Sequence, residues 1–265
     1  MSRIKQTFSF LKEQNKRAMV AYLVAGVPDV DSTISIMHLM VTKGVDILEL
    51  GVAFSDPMSE GPLIQEAHER ALSTNITLDK ILNIVNEFRK DDKSTPVVLM
   101  GYMNPFEAAG AKEFCRKASK SGVDGILVVD MPFEESTEFS YAAQKNNLDV
   151  IRLIAPTTNE KRMKKICKNA SGYIYYISLK GITGASSFDA KDVKSKVNVL
   201  RRITNLPVVV GFGIKDGLMV QAVKQAADGI VVGSVFVEII SKQQDKIELE
   251  LSEKLEELTS ALQKE

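Results

Sequence analysis

The feature that most constrains this chain is a series of short apolar runs, each followed by a stretch patterned as helix. The runs are MVAYLVAG (19–26), DILELGVAF (46–54), PVVLMGYM (96–103), GILVVD (125–130), DVIRLIAP (149–156), YIYYISL (173–179), PVVVGFG (207–213) and GIVVGS (229–234). Runs that stay apolar without alternating belong to strands buried on both faces, as in parallel sheets. Between them, helical patterning covers 32–43, 62–72, 78–91, 107–120, 134–146, 158–169, 190–203 and 215–226. Several joints into a strand carry the same punctuation: Gly44-Val45-Asp46, Gly122-Val123-Asp124-Gly125 and Ala227-Asp228-Gly229. A helix that ends on glycine and hands directly to a strand is half of a repeating βα unit. Eight such units, with no antiparallel hairpin signal, predict an α/β fold, a closed (β/α)8 TIM barrel. A doubly wound open sheet is the alternative, and the count of eight ranks it second.

Two segments lie outside the repeat. Residues 2–16 predict an extra N-terminal helix, with Ile4, Phe8 and Leu11 on one face. Residues 235–265 predict the last barrel helix and an amphipathic extension, so residues 1–265 are expected to form one domain. A 45% hydrophobic and 26% charged composition is that of an ordinary globular domain. Lys+Arg and Asp+Glu balance at 34 each, so no net field favours nucleic acid or an anionic membrane. No apolar run reaches the roughly 20 residues of a membrane span, and the charged N-terminus lacks a signal-peptide core. Cys115 and Cys167 stand far apart in helical sequence and are expected to be reduced packing residues of a cytoplasmic protein. His38 and His68 have no partners at ligand spacing, so both are read as structural, and neither a metal site nor a serine triad is expected.

In this architecture chemistry sits at the C-terminal ends of the strands. Those ends carry Tyr22, Glu49 and an acidic loop, Tyr102 and Asn104, Asp130, Tyr175 and Ser178, Gly211-Phe212-Gly213, and Gly233-Ser234. Glu49 is the most informative, because a carboxylate in an apolar strand is costly to bury unless paired or neutralised. Desolvation should raise its pKa into the range of a proton shuttle. Glu60, on the loop that follows, supplies a second acid in a different setting, as a divided acid and base pair requires. Tyr22, Phe54, Met100, Tyr102, Leu127 and Phe212 are candidates to wall a flat apolar substrate, although each also suits simple core packing. Glycine-rich ends at 181–184, 211–213 and 233–234, the last two running into helices, suit a phosphate bound by backbone N–H groups.

At these residues the chain resembles a known family, the α subunit of tryptophan synthase, over essentially its full length. The resemblance rests on ELGVAFSDPMSEGPLIQ (49–65), GYMNPF (101–106), DGILVVDMPFEE (124–135), YYISLKGITGA (175–185), GFGI (211–214) and DGIVVGS (228–234). It implies a lyase that cleaves indole-3-glycerol phosphate to indole and glyceraldehyde 3-phosphate by a retro-aldol step. It also implies an α2β2 complex with a β subunit, which alone carries pyridoxal phosphate; no cofactor is implied for this chain. Glu49 matches the family's acid/base group, and Glu60 falls where the family usually has aspartate at the indole N–H. Tyr22, Met100, Tyr102, Leu127, Tyr175, Thr183 and Phe212 are the expected substrate-binding residues, Thr183 matching the family's mobile loop residue that orders the counterpart of Glu60, and Gly184, Gly213, Gly233 and Ser234 match phosphate binders. Asp56-Pro57 and Asn104-Pro105 fall on the side that meets the partner. Two departures stand out: Glu60 is one methylene longer than aspartate, and Ser178-Leu179-Lys180 lacks the arginine of many relatives. They leave open an α-like subunit that only activates its partner, and another phosphate-binding barrel enzyme stays as a further alternative.

Overall fold

A computed structural model describes residues 2–177, 190–211, 213–242 and 246–263. Eight parallel strands close in chain order: β1 (Ala18–Val24), β2 (Ile47–Gly51), β3 (Val97–Gly101), β4 (Gly125–Val128), β5 (Asp149–Ile154), β6 (Ile174–Ile177), β7 (Val208–Gly211) and β8 (Gly229–Val232). β8 pairs back onto β1 with Ala18 opposite Gly229, which closes the barrel and excludes the open sheet. Glycine is required there, since a Cβ on Gly229 would meet the Ala18 carbonyl oxygen at 2.8 Å.

The surrounding helices are α1 (Arg3–Glu13), α2 (Val30–Thr42), α3 (Pro62–Ser73), α4 (Leu78–Asp91), α5 (Met103–Ala108), α6 (Ala111–Ser121), α7 (Thr137–Lys145), α8 (Glu160–Lys168), α9 (Ala190–Ile203), α10 (Gly217–Val223), α11 (Ser234–Lys242) and α12 (Ile247–Gln263). Side-chain caps start several of them: Asp29, Thr77, Asn159 and Asp216 each accept a backbone N–H three residues on. The helix expected at 107–120 is two helices, broken at Gly110 with φ +76°. Asn104-Pro105 lies in the first turn of α5, where proline's missing N–H costs nothing. No helix among the described residues is long and apolar enough to cross a membrane.

The glycine-aspartate joints have a further role at the N-terminal end of the barrel. Asp46, Asp124 and Asp228 each accept a backbone N–H from the preceding strand: Met19 at 2.8 Å, Val97 at 2.9 Å and Val208 at 2.9 Å. Ser171 does the same for Val150 at 2.8 Å. One polar residue before every second strand thus ties the strands in pairs and satisfies N–H groups the ladders leave over. Asp124 also holds the Arg3 and Arg89 guanidiniums, each at 2.8 Å.

The barrel interior contains Ala18, Val20, Ile47, Val98, Leu127, Ile151, Tyr173, Val209 and Val231. Ile4, Phe8 and Leu11 of α1 join this cluster, so the extra N-terminal helix plugs the closed end. At the other flank, Leu251, Leu255, Leu258 and Leu262 of α12 are buried where that helix meets α2, α10 and α11. The scaffold is therefore filled from below and sealed around; its buried polar residues include a cluster at the N-terminal end around Arg89 and Asp124 and a second one around Glu49 and His68.

Candidate active site

Glu49 is fully buried on β2. Its Oε1 accepts from Tyr173 Oη at 2.5 Å, while Oε2 has no hydrogen-bond partner among the described residues. Burial pushes this carboxyl up to about 7; the Tyr173 hydrogen bond opposes the shift and the charge of Glu60 adds to it. Glu60 is likewise pushed up to about 7 by burial. Two acids that both titrate near neutrality, and that feel each other, can exchange protons with a substrate at neutral pH. Tyr173 itself is fully buried, and its ring lies 5.9 Å from that of Phe8 on the plugging helix. Glu49 is thereby braced, through Tyr173, from the sealed end of the barrel.

Three tyrosines surround the pair. Tyr22, opposite Glu49 in the β1–β2 register, crosses Gly51: a Cβ there would meet its Oη at 2.4 Å. Tyr175 crosses Gly211 in the same manner, with a Cβ contact of 2.2 Å to its Oη. Tyr102 accepts from Ser59 N–H at 3.0 Å and stacks on Phe54 with ring centroids 5.4 Å apart, which holds the Glu60 loop against β3. Burial raises the pKa of all three phenols, so each remains protonated and able to donate. Met100 is half-buried beside them. Leu127 is fully buried in the inner cluster against which Met100 and Tyr175 pack.

Gly213 has φ +72° and open space where a Cβ would stand. Gly233 lies against the Tyr22 ring, and Ser234 opens α11, whose first N–H groups face the same end of the barrel. Thr183, Gly184 and Phe212, together with Ser178 and Lys180, lie outside the described residues. On the loop after β2, Asp56 is exposed and Met58 is 80% exposed, whereas Pro57 is buried. Asn104 is exposed and Pro105 half-buried, and the Met103 N–H donates to Asp130 at 2.7 Å. The outward surface of the two segments is therefore Asp56, Met58 and Asn104, with the prolines beneath.

Sequence reading missed two residues of this cluster. Tyr173 shares the inward face with Tyr175 by simple alternation, so strand periodicity alone could have found it. His68, read as structural, contacts the Tyr22 hydroxyl; nothing local signals a pairing across 46 residues. Cys115 and Cys167 are buried and unpaired. Among the described residues no group of three or more His, Cys, Asp or Glu is placed to hold a metal ion.

Comparison with known proteins agrees with this geometry. The family model of the tryptophan synthase alpha chain matches residues 8–265. The tryptophan synthase alpha chain of Nitrosomonas europaea is 49% identical over 240 residues, covering 91% of this chain and 87% of its own. That of Hydrogenovibrio crunogenus is 44% identical, covering 100% of this chain and 98% of its own. The crystal structure of the alpha subunit from Legionella pneumophila superposes with a TM-score of 0.92 at 40% identity, covering 99% of this chain and 98% of that one. With a matching family model, a shared barrel and an acid pair at its mouth, the chain belongs to the tryptophan synthase alpha chain family, the lyases that cleave indole-3-glycerol phosphate in tryptophan biosynthesis.

Proposed function

We propose that Glu49 and Glu60 divide the proton transfers of this cleavage. Glu60 takes the indole N–H proton while protonated Glu49 delivers a proton to C3, giving a C3-protonated indolenine. Glu49, now a carboxylate, removes the proton of the side-chain hydroxyl next to the ring. The C3–carbon bond then breaks, its electron pair returns to the ring, and Glu60 gives the nitrogen its proton back. Indole and glyceraldehyde 3-phosphate leave with every proton accounted for. The observation that carries this reading is the buried Glu49 carboxyl with the half-buried Glu60 carboxyl, both raised to about 7, at the open end of a closed barrel.

The substrate phosphate is assigned to the N–H groups of Gly184, Gly213, Gly233 and Ser234, and the indole ring to the space among Tyr22, Met100, Tyr102, Tyr175, Thr183 and Phe212. The whole chain acts as a single domain in the cytoplasm, consistent with its two unpaired cysteines. It works in an α2β2 complex with a pyridoxal-phosphate-bearing β subunit, docking through the Asp56-Pro57 and Asn104-Pro105 segments and passing indole to its partner. The test is indole release from indole-3-glycerol phosphate with a β subunit present, comparing Glu60→Asp with Glu60→Gln. Aspartate should retain much of the activity and glutamine should lose ~10²-fold or more. Equal, near-full activity in both variants would remove Glu60 from the mechanism, and no turnover by the native protein would leave it an activator of its partner only.

A further inference from the structure

His68 is 2% exposed on α3, and both its ring nitrogens are engaged. The Phe54 backbone N–H donates to Nδ1 at 3.1 Å, and Tyr22 Oη lies 3.2 Å from Nε2. A neutral imidazole has one donor and one acceptor nitrogen, and a backbone N–H can only donate. Nδ1 is therefore the acceptor, and the proton sits on Nε2, facing Tyr22. Burial pushes the His68 pKa down to about 4, so the ring stays in this neutral tautomer throughout the neutral range. With a lone pair taken by His68, the tyrosine hydroxyl keeps its own hydrogen for a second acceptor. Tyr22 is fixed over Gly51, and its hydroxyl feels the charge of Glu60 and Glu49.

We propose that His68 is a positioning residue: its Nε2–H holds the Tyr22 hydroxyl so that the hydroxyl hydrogen is donated toward the Glu49 and Glu60 side of the barrel mouth. This role rests on the lyase reading above. The competing role for His68 is as a tether for the loop after β2, through Phe54 alone. Side-chain stereochemistry separates the two. Glutamine sets its amide near the position of Nε2 and can donate to Tyr22. Asparagine reaches only the position of Nδ1, where its oxygen accepts from Phe54 N–H.

The experiment measures steady-state indole release with the β subunit in excess for Tyr22→Phe, His68→Asn, His68→Gln and the Tyr22→Phe/His68→Asn double variant. Loss of a buried hydrogen bond of this kind should cost about tenfold in kcat. Tyr22→Phe and His68→Asn should each show that loss with KM changed less than about twofold, and His68→Gln should stay within about threefold of the native rate. The double variant should be no slower than Tyr22→Phe alone, because both changes delete one interaction. Full activity of His68→Asn beside a slow His68→Gln, or losses that multiply in the double variant, would overturn the positioning role while leaving the lyase reading intact. A native protein without turnover would overturn both. Tyr22→Phe removes one atom and is the variant least prone to misfolding, so an unchanged kcat in it alone defeats the proposal.

Discussion

Replacing Glu49 by glutamine should stabilise the protein at neutral and alkaline pH while abolishing its activity. The native carboxyl titrates near 7 and the same group in the unfolded chain near 4.5, so the folded state binds its proton more tightly. The stabilisation from that proton is complete below about pH 4.5 and is lost as pH rises toward and through about 7. At 1.36 kcal/mol per pKa unit, ionising Glu49 withdraws about 3 kcal/mol in total, most of it between pH 5 and 8. Glutamine keeps an acceptor for the Tyr173 hydroxyl, which bonds Oε1 at 2.5 Å, and has no charge to desolvate. The stability advantage of Glu49→Gln over the native chain should therefore grow by about 2–3 kcal/mol from pH 5 to pH 8. Urea unfolding followed by circular dichroism across that range measures it directly. In the same preparation, lyase turnover should fall ~10²–10⁴-fold. Parallel stability curves for the two proteins would mean that Glu49 titrates normally and that burial has not prepared it for proton transfer.

Three further perturbations separate scaffold from site. Asp124→Asn removes the carboxylate that holds Arg3 and Arg89, leaving the buried Arg89 guanidinium with Asp92 as its remaining counter-charge; a loss of about 1–3 kcal/mol in unfolding free energy is expected, with kcat unchanged because Asp124 lies at the far end of the barrel. Gly51→Ala drives a methyl into Tyr22 Oη at 2.4 Å, so turnover should drop at least about tenfold and stability by about 1–3 kcal/mol; adding Tyr22→Phe deletes the clashing atom and should recover part of that stability. Leu255→Ala opens a cavity beneath α12 and should cost about 2–5 kcal/mol in unfolding free energy while the folded protein turns over normally.

The barrel was legible because its strands are buried on both faces and its helices on one, and burial leaves a period in the residues themselves. Glu49 was legible for the same reason: a lone carboxylate stands out in ILELG, and its raised pKa follows from the apolar residues beside it in the chain. The repeated aspartate before a strand was visible as well, but its purpose was not, because the N–H it accepts belongs to the previous strand, about 27 residues away at Asp46 and Asp124. Breaks such as Gly110 also escaped notice, since a single left-handed glycine interrupts a helix without disturbing its apolar pattern. Partnerships across the barrel lay further from reach. Tyr173 meets Glu49 across 124 residues, and His68 meets Tyr22 across 46. Periodicity records which face of an element is buried, whereas these contacts exist only once α3 has packed on β1 and the closing barrel has brought β6 across from β2. Residue type and pattern thus determined which groups would be driven inward, and closure of the barrel decided which of them would touch.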